Sequence, residues 1–343
     1  MSDMRILVVL PVSEEEAQEL KETAPQATFM FKALVKDPER IATTPEFELT
    51  DEEIAAADII IGNVPAARLL GGACLKWIQL GSAGADAYVK PGVLREDVRV
   101  SNSVGCYGPA VAEHSFALLL SLMKKLYRYE DDQRAHVWGE EGNVSTLDGA
   151  SVLVMGAGDI GEHFARLCTA MGATCTAYRS HVPAELSDSY RAAFAHTIAG
   201  RDALMEALPS SQVVASFLPS TPETKRLADE EFLAALPRGA YLVNAGRGDL
   251  IDYAALKEAL EIGALAGAAI DVSDPEPLPE ESPLWDVPNL LITPHVAGFW
   301  HLPKTRKLVF LRAKENLAHY LAGEKLVHEV KRSISASNYE FAP

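Results

Sequence analysis

The sequence predicts an α/β protein built from doubly wound parallel β-sheets. Short, nearly continuous apolar runs recur along the chain, as in strands buried on both faces of a parallel sheet. Stretches with helical apolar spacing separate most of these runs, an alternation typical of α/β folds. One run, Ser151–Met155, leads directly into a glycine-rich turn at residues 156–161 and then into an amphipathic helix.

The first hundred residues are predicted to form a small α/β unit. Residues 5–11 are an apolar run ended by proline, and Ser13 is a suitable N-cap for a helix with an acidic first turn at residues 14–16. Two further apolar runs, residues 58–62 and 76–80, are predicted strands.

A long helix and a second, larger α/β series follow. Apolar residues at helical spacing predict one helix over residues 108–129, with Pro109 near its start. The second series opens at Ser151–Met155, and a last helix is predicted over residues 304–321. Its further predicted strands are residues 174–178, 213–218, 241–245, 267–272 and 290–293.

Composition limits the classes of function. The 343 residues, enough for about two domains, include 31 Lys and Arg against 48 Asp and Glu, a formal net charge of −17. This excess of acid disfavours a nucleic-acid partner, which needs a surplus of cations on one face. The composition, 48% hydrophobic and 23% charged, is that of a folded protein.

Neither a metal site nor a membrane segment is expected. The apolar start at residues 6–10 is too short for a signal peptide or a membrane span, and no other apolar run is long enough to span. We therefore expect a soluble, cytoplasmic protein with no membrane partner. Four cysteines lack the C-x-x-C spacing and the adjacent histidines of metal sites: Cys74, Cys106, Cys168 and Cys175.

The glycine-rich turn matches the dinucleotide-binding fingerprint G-x-G-x-x-G. Gly156 would allow the tight turn, Gly158 the approach of a pyrophosphate, and Gly161 close packing of helix on strand. The following helix N-terminus supplies N–H groups and positive potential for phosphates. The motif alone is weak evidence, because a tight structural turn can also contain these glycines. The flanking strand and helix favour cofactor binding and a Rossmann-like unit.

Arg179 and Ser180 favour NADP(H) over NAD(H). The strand after the fingerprint helix normally ends in an acid that binds the ribose 2′-hydroxyl. Arg179, followed by Ser180, stands at that place in this sequence. A cation and a hydroxyl suit a 2′-phosphate. The alternative, that Arg179 is only a solvated surface residue, leaves NAD(H) possible.

The downstream motifs resemble the D-isomer-specific 2-hydroxyacid dehydrogenase family, and in particular its glyoxylate/hydroxypyruvate reductase-like members. The similarity extends from about residue 75 to 320, and the order and spacing of the motifs make chance unlikely as an explanation. The motifs are LGSAGAD at 80–86, GAGDIG at 156–161, LPSTPET at 218–224, VNAGRG at 243–248, AIDVSDPEP at 269–277 and TPHVAG at 293–298.

The resemblance implies three catalytic residues, Arg247, Glu276 and His295. The Arg247 guanidinium is a planar fork that can hold a substrate carboxylate. Glu276 would favour the imidazolium form of His295, which can give a proton to the carbonyl oxygen as hydride arrives. Without the resemblance, each residue could be an ordinary loop or surface residue. All three nevertheless follow predicted strands of one parallel sheet, where ligands bind.

The resemblance also implies binding residues, with Asp271 on the nicotinamide carboxamide and the N–H groups of residues 82–84 on the substrate carboxylate. Phe299 and Trp300 could shape the substrate pocket, but an aromatic pair is more often core. Cofactor-binding residues would be Gly156, Gly158, Asp159, Ile160, Gly161, Arg179, Ser180, Leu218, Pro219, Thr224, Ala245, Gly246, Arg247, Asp271, His295 and Gly298. Substrate-binding residues would be Ser82, Ala83, Gly84, Arg247 and His295.

Two positions depart from the family pattern. Ser273 replaces a usual bulky aromatic, which puts the packing near Glu276 in doubt, and Arg179 replaces the usual acid. Asp159 adds a negative charge in the fingerprint loop, and we expect its side chain to point outward. His114, His136 and His301 have no partner motif and are expected to be structural or surface residues.

The resemblance implies two Rossmann-like domains and a small-molecule substrate. A discontinuous, flavodoxin-like substrate domain would comprise residues 1–104 and 300–343, and residues 105–299 would bind the dinucleotide. We expect hydride transfer between NADP(H) or NAD(H) and a small 2-oxo acid or D-2-hydroxy acid. The resemblance also implies a homodimer formed through the coenzyme domain, with the long helix and the loop after Tyr129 as the candidate surface. A dinucleotide-sensing corepressor-like binding protein of the same fold is the alternative from a different class.

Overall fold

The chain divides into two compact units, each with one parallel β-sheet flanked by helices. The computed structural model describes residues 4–35, 46–70, 74–182, 184–298 and 300–331. One unit comprises residues 1–107 with 299–343, and the other comprises residues 108–298. The predicted fold class, α/β with parallel sheets, is confirmed.

The first unit contains a five-stranded sheet in the order β2-β1-β3-β4-β5, which is the flavodoxin-like strand order. Ser13 and Glu16 form a capping box at the start of its first helix, as the Ser13 N-cap predicts. Its strands are β1 (Arg5–Val9), β2 (Thr28–Phe31), β3 (Ile59–Gly62), β4 (Trp77–Gln79) and β5 (Arg99–Ser101). Its helices are α1 (Glu14–Thr23), α2 (Asp51–Ala56) and, near the end of the chain, α10 (Pro303–Ala322).

The second unit contains a seven-stranded parallel sheet in the order β12-β11-β10-β9-β6-β7-β8. This is the doubly wound dinucleotide-binding order with one more strand at the end. The strands are β6 (Ser151–Met155), β7 (Thr174–Arg179), β8 (His196–Ala199), β9 (Val213–Ser216), β10 (Ala240–Asn244), β11 (Leu265–Ile270) and β12 (Leu290–Ile292). The helices are α3 (Gly108–Lys124), α4 (Leu126–Ala135), α5 (Asp159–Ala170), α6 (Asp188–Ala193), α7 (Arg201–Ala207), α8 (Glu230–Ala235) and α9 (Tyr253–Glu261).

Apolar side chains fill both faces of the second sheet. Val152, Val154 and Phe164 belong to a core that includes α3 and α5 on one face. On the other face, Leu153 and Met155 pack in a core with side chains of α8 and α9. Successive residues of β6 therefore point alternately into the two cores, which explains why this strand is a continuous apolar run.

The prediction of one helix over residues 108–129 is wrong. Lys125 adopts a left-handed conformation at φ 57°, which ends α3 and lets α4 start at Leu126. The second helix runs to Ala135, beyond the predicted end at residue 129. Within the described ranges, no helix is both long and apolar enough to cross a membrane.

Candidate functional site

Most of the predicted site residues lie at the carboxyl ends of the strands in the second sheet. Because all seven strands are parallel, their carboxyl ends meet at one edge of the sheet. The segments after β7, β6, β9, β10, β11 and β12 follow one another along this edge, with the change of winding direction between β6 and β9. Ligands of open α/β sheets bind at such a switch point.

The three fingerprint glycines connect β6 to α5, and each has a different environment. Gly156 has a φ of +87°, which glycine adopts readily. A Cβ on Gly161 would lie 2.4 Å from the Gly156 carbonyl oxygen, so this glycine permits the helix to pack closely on the turn. A Cβ on Gly158 would meet no atom of the described residues within 4 Å. The backbone at Gly158 is therefore open to approach from outside.

The first turn of α5 is suited to a phosphate group. The helix begins at Asp159, with Gly158 as its N-cap and no side chain capping it. Its first N–H groups, including those of Ile160 and Gly161, have no partner within the helix and carry the positive end of its dipole. The open space at Gly158 and these N–H groups fit a dinucleotide pyrophosphate.

The Asp159 carboxylate is not simply turned outward. One of its oxygens lies 3.5 Å from His163 Nδ1, and the side chain packs against Gly108, where a Cβ would be 2.5 Å from the carboxylate oxygens. Asp159 therefore contributes to the contact of α5 with the start of α3, which corrects the expectation from sequence.

Arg179 is the last residue of β7 and is held by two contacts. Its Nη1 donates to the carbonyl oxygen of Ala157, 2.9 Å away in the fingerprint turn, and its guanidinium lies over the Tyr190 ring. The Arg179 head group is therefore attached to the fingerprint turn and is not fully solvated. Ser180 is exposed beside it.

The segments after β9 and β10 pack too closely to leave room for a side chain at residue 246. A Cβ on Gly246 would lie 2.6 Å from the Leu218 carbonyl oxygen. Thr224 Oγ1 donates to the Pro219 carbonyl oxygen at 2.7 Å and accepts from the Thr221 amide, which closes the turn after β9. Ala245, next to Gly246 in the chain, is only partly buried.

Glu276 and His295 form the central contact of the edge. His295 Nδ1 lies 2.9 Å from Glu276 Oε2. The other carboxylate oxygen, Oε1, accepts from the Ser273 amide at 3.0 Å. Arg247 is near enough for its charge to act on Glu276, and its Nη1 donates to the Gly246 carbonyl oxygen. The structure thus brings the three indicated residues together.

The pKa of Glu276 is lower than that of an ordinary glutamate. Partial burial raises the pKa of its carboxyl, but hydrogen bonds from His295 and Ser273, with the charges of His295 and Arg247, outweigh burial and lower the pKa overall. An ionised carboxylate can only accept, so His295 Nδ1 donates to it.

The contact with Glu276 explains how the Ser273 substitution is accommodated. Ser273 binds Glu276 through its backbone amide, and its hydroxyl donates to the Pro275 carbonyl oxygen at 2.9 Å. Gly248 lies against the same backbone, where a Cβ would be 2.0 Å from the Ser273 carbonyl carbon. The position of Glu276 therefore depends on the backbone and not on a bulky side chain at residue 273.

Asp271 holds the loop that carries His295. Its carboxylate is 2% exposed and accepts from Thr293 Oγ1 at 2.6 Å and from the amides of Val296 and Ala297 at 2.9 and 3.0 Å. His295 itself has a φ of 53°, a conformation that non-glycine residues adopt rarely. The loop is thus fixed on both sides of His295 by one buried carboxylate.

His114 on α3 extends this network and was missed from sequence. Its Nε2 lies 3.1 Å from Thr293 Oγ1 and 3.7 Å from Asp271 Oδ1. Because the single hydroxyl proton of Thr293 points to Asp271, His114 Nε2 must be the donor to Thr293. No local motif marks His114, and only the packing of α3 on β11 could have indicated it.

The predicted substrate loop, residues 82–84, belongs to the first unit and follows β4. Asn63, after β3, accepts from the Gly81 and Ser82 amides with its Oδ1, at 2.8 and 3.2 Å. Gly298 is buried at the end of the second unit. Trp300 is buried in the first unit, and Phe299 lies outside the described residues. The described part of the chain holds no cluster of three metal-ligating side chains.

Comparison with known proteins gives consistent matches. The family model described as "D-isomer specific 2-hydroxyacid dehydrogenase, NAD binding domain" matches residues 116–297. A Haemophilus influenzae protein named "Putative 2-hydroxyacid dehydrogenase" is 31% identical over 264 residues, which cover 73% of this chain and 80% of that protein.

Two solved structures are similar over nearly the whole chain. A D-isomer specific 2-hydroxyacid dehydrogenase from Xanthobacter autotrophicus Py2, in complex with NADPH and MES, has 27% identity and a TM-score of 0.73 over 96% of this chain and 99% of that one. The NADPH-dependent glyoxylate/hydroxypyruvate reductase of Sinorhizobium meliloti, with NADP and sulfate, has 25% identity and a TM-score of 0.75 over the same shares.

Proposed function

Because the chain belongs to the D-isomer-specific 2-hydroxyacid dehydrogenase family and is an NAD(P)-dependent oxidoreductase, we propose that it reduces a small 2-oxo acid to the D-2-hydroxy acid, with NADPH as the preferred cofactor. Arg247, Glu276 and His295 are the catalytic residues. The observation that carries the proposal is the 2.9 Å contact of His295 Nδ1 with an ionised Glu276 beside Arg247.

His295 is the acid and base of the reaction. The cofactor, when bound, supplies or accepts a hydride through its nicotinamide ring. In the reduction, protonated His295 gives its Nε2 proton to the carbonyl oxygen of the 2-oxo acid, while the ionised Glu276 faces the charge of the imidazolium. In the reverse direction, neutral His295 takes the hydroxyl proton at Nε2. The Glu276 contact keeps Nδ1 protonated and directs the exchangeable proton to Nε2.

Arg247 binds and orients the substrate carboxylate. Its planar fork offers parallel donors to two carboxylate oxygens, which a lysine does not reproduce. The bond from its Nη1 to the Gly246 carbonyl oxygen restricts the side chain, which lowers the entropy lost when substrate binds. The loop of residues 82–84 supplies further backbone N–H donors to the substrate.

NADPH is the preferred cofactor in this proposal because Arg179 ends β7. The guanidinium offers charge for a 2′-phosphate, and its contacts with Ala157 and Tyr190 hold it in place. The Xanthobacter and Sinorhizobium relatives, whose structures contain NADPH and NADP, support this choice. The helix α5 takes the pyrophosphate, and the remaining cofactor contacts come from Ser180, Leu218, Pro219, Thr224, Ala245, Gly246, Asp271 and Gly298.

A homodimer formed by the second unit is part of the proposal. Trp138 is 103% exposed, and Val137, Val144 and Leu126 are also exposed on α4 and the segment after it. Such apolar groups in one region mark a surface for protein contact. Sedimentation at several concentrations tests this: a dimer that Trp138→Glu dissociates supports the proposal, and a wild-type monomer contradicts it.

A corepressor-like role is not favoured, because the relatives are named as dehydrogenases and reductases. Turnover separates the two functions. Purified protein is mixed with NADPH or NADH and a panel that includes glyoxylate, hydroxypyruvate, and branched and aromatic 2-oxo acids. We expect NADPH oxidation with at least one of them. Dinucleotide binding without oxidation of either cofactor would favour the binding-protein function instead.

A further inference from the structure

The loop after β4 is held by a specific set of hydrogen bonds that leaves two backbone donors unused. Residues 81–84 lie at the carboxyl end of β4, beside the end of β3 in the same sheet. Backbone N–H and C=O groups are almost always paired when they are not exposed to water. The N–H and C=O groups of this loop that have no partner in the protein are therefore the groups that can bind a ligand.

Asn63 takes the first two N–H groups. Its Oδ1 accepts from the Gly81 amide at 2.8 Å and from the Ser82 amide at 3.2 Å. Its Nδ2 donates to Ser82 Oγ at 3.0 Å, and Ser82 Oγ in turn donates to the Gly84 carbonyl oxygen at 2.7 Å. One side chain thus connects to both ends of the loop.

The other carbonyl groups also have partners. The Tyr107 hydroxyl donates to the Gly81 carbonyl oxygen, and the Ser103 amide donates to that of Ser82 at 3.0 Å. Asn102 Nδ2 donates to the Ala83 carbonyl oxygen at 2.8 Å. The carbonyl groups therefore point toward the body of the unit, and the peptide planes of the loop are fixed.

Gly81 allows no relaxation of this arrangement. A Cβ on Gly81 would lie 2.8 Å from the buried Trp300 ring and 3.0 Å from Leu10. The backbone enters the loop against these two side chains, so it cannot shift toward them. Asn63 holds the same part of the loop through the Gly81 and Ser82 amides.

Two donors remain, the N–H groups of Ala83 and Gly84. Within the described ranges, neither N–H has an acceptor, and both residues are partly exposed. Successive N–H groups on a turn with fixed carbonyls form a concavity that suits an anionic oxygen. The Ser82 amide, in contrast, is already engaged by Asn63.

We propose that Asn63 is a positioning residue for the substrate carboxylate. By holding Gly81 and Ser82, Asn63 presents the Ala83 and Gly84 N–H groups to the carboxylate, while Ser82 contributes no N–H. This inference rests on the proposed function, because it assumes that the ligand is a 2-oxo acid. It narrows the sequence-derived set of Ser82, Ala83 and Gly84 to two donors and adds a residue outside the loop.

The first test is the variant Asn63→Ala in the full chain. We measure kcat and KM for the best 2-oxo acid of the panel, and calorimetric binding of oxamate to the protein with NADPH bound. Without Asn63, the Ala83 and Gly84 N–H groups would no longer be aligned on the ligand carboxylate. KM and the oxamate Kd should therefore rise about tenfold. The change in kcat and in the NADPH Kd should be much smaller. A merely structural role of Asn63 would not divide the effects in this way.

A second variant guards against simple misfolding. Asn63→Asp retains the acceptor for the Gly81 and Ser82 amides but adds a negative charge beside the two donors. We expect KM and the oxamate Kd to rise further than in Asn63→Ala, with thermal stability retained. The control is Thr50→Ala, which removes the N-cap of α2 in the same unit and should leave oxamate binding unchanged.

The outcomes separate this inference from the proposed function. If wild-type protein turns over a 2-oxo acid and both Asn63 variants keep its KM and oxamate Kd, the positioning role is wrong. Equal or tighter oxamate binding in Asn63→Ala overturns it too, since the released Gly81 and Ser82 donors would then suffice. If wild-type protein neither turns over a 2-oxo acid nor binds oxamate, the proposed function fails first.

Discussion

A single pair of side chains accounts for most of the chemistry that we propose. Glu276 receives one hydrogen bond from His295 and one from the Ser273 backbone, so both of its oxygens are engaged. Because the pKa of Glu276 lies below the ordinary value of 4.5, more than half of this side chain is ionised at pH 4.5. The stabilising effect of this carboxylate on the fold is present above the ordinary pKa and is lost as pH falls through the lowered value.

Glu276→Gln should lower kcat and change the acid limb of the pH profile. In the wild type, kcat/KM should fall as pH drops through the lowered pKa of Glu276, because the protonated carboxyl no longer presents a negative charge to His295. A glutamine amide carries no charge and does not titrate, so this limb should be absent from the variant. The control is Glu280→Gln, an exposed acid on the same segment. Wild-type kcat and an unchanged acid limb in Glu276→Gln would mean that the Glu276 carboxylate has no part in the reaction.

Arg179→Asp should reverse the choice of cofactor. The new carboxylate repels a 2′-phosphate and can accept from a ribose 2′-hydroxyl. Steady-state kcat/KM with NADPH should fall by about tenfold or more for the loss of one charged contact, and the value with NADH should hold or rise. Arg191→Asp, which changes an exposed arginine on α6, is the matched control. An unchanged ratio of the two cofactors would exclude Arg179 from the 2′-phosphate site.

The elements that could not be predicted from sequence share a physical cause. The three strands that were missed, β2, β5 and β8, all lie at sheet edges. β5 and β8 mix polar with apolar residues, and β2 has an apolar run of only three residues, so none of them matches the longer runs of the central strands. The break at Lys125 was hidden because apolar residues continue at helical spacing across it. Central strands and their following turns, in contrast, were predictable from apolar runs and glycines.

Substitution by alanine should have different effects at two glycines near the start of α5, one on NADPH binding and the other on stability. Gly158→Ala adds a methyl group where no described atom lies within 4 Å, so stability should be retained. That methyl group should occupy space needed by the pyrophosphate and weaken NADPH binding. Gly161→Ala forces a contact of 2.4 Å with the Gly156 carbonyl and should cost about 1–3 kcal/mol of stability.

Urea unfolding without ligand and calorimetric NADPH titration measure the two effects. The account predicts that Gly158→Ala affects the titration and Gly161→Ala affects unfolding. NADPH binding by Gly158→Ala as tight as in the wild type would contradict the assignment of this turn to the cofactor.

The link from α3 to the His295 loop predicts a role for His114 and Thr293. Thr293→Val keeps the shape but removes the hydroxyl between His114 and Asp271, which leaves the buried carboxylate with fewer donors. We expect a lower kcat, with Thr293→Ser restoring most of the activity. His114→Ala should resemble Thr293→Val, whereas His136→Ala, at the exposed end of α4, should be neutral. Full activity in both His114→Ala and Thr293→Val would contradict this role.

At the scale of the whole molecule, the net charge of −17 describes the surface and not the candidate site. The groups that we assign to anionic ligands are cations, a helix N-terminus and backbone N–H groups, which act locally. The sequence predicted Arg247, Glu276 and His295 at one sheet edge, because each of them follows a predicted strand of the same parallel sheet. Asn63 and His114 could not be found this way, because they lie outside these motifs and their partners come from other strands and helices. Thr293 lies in the motif TPHVAG, but its contact with His114 on α3 was not predictable from it.

The most direct measurement of the central claim is the rate of NADPH oxidation by wild-type protein and His295→Ala with the best 2-oxo acid. NADPH affinity is measured for both in the same buffer. The account predicts turnover by the wild type, a loss of about 100-fold or more in kcat for His295→Ala from removal of the general acid, and similar NADPH affinity. Undiminished kcat in His295→Ala would contradict the proposed proton transfer.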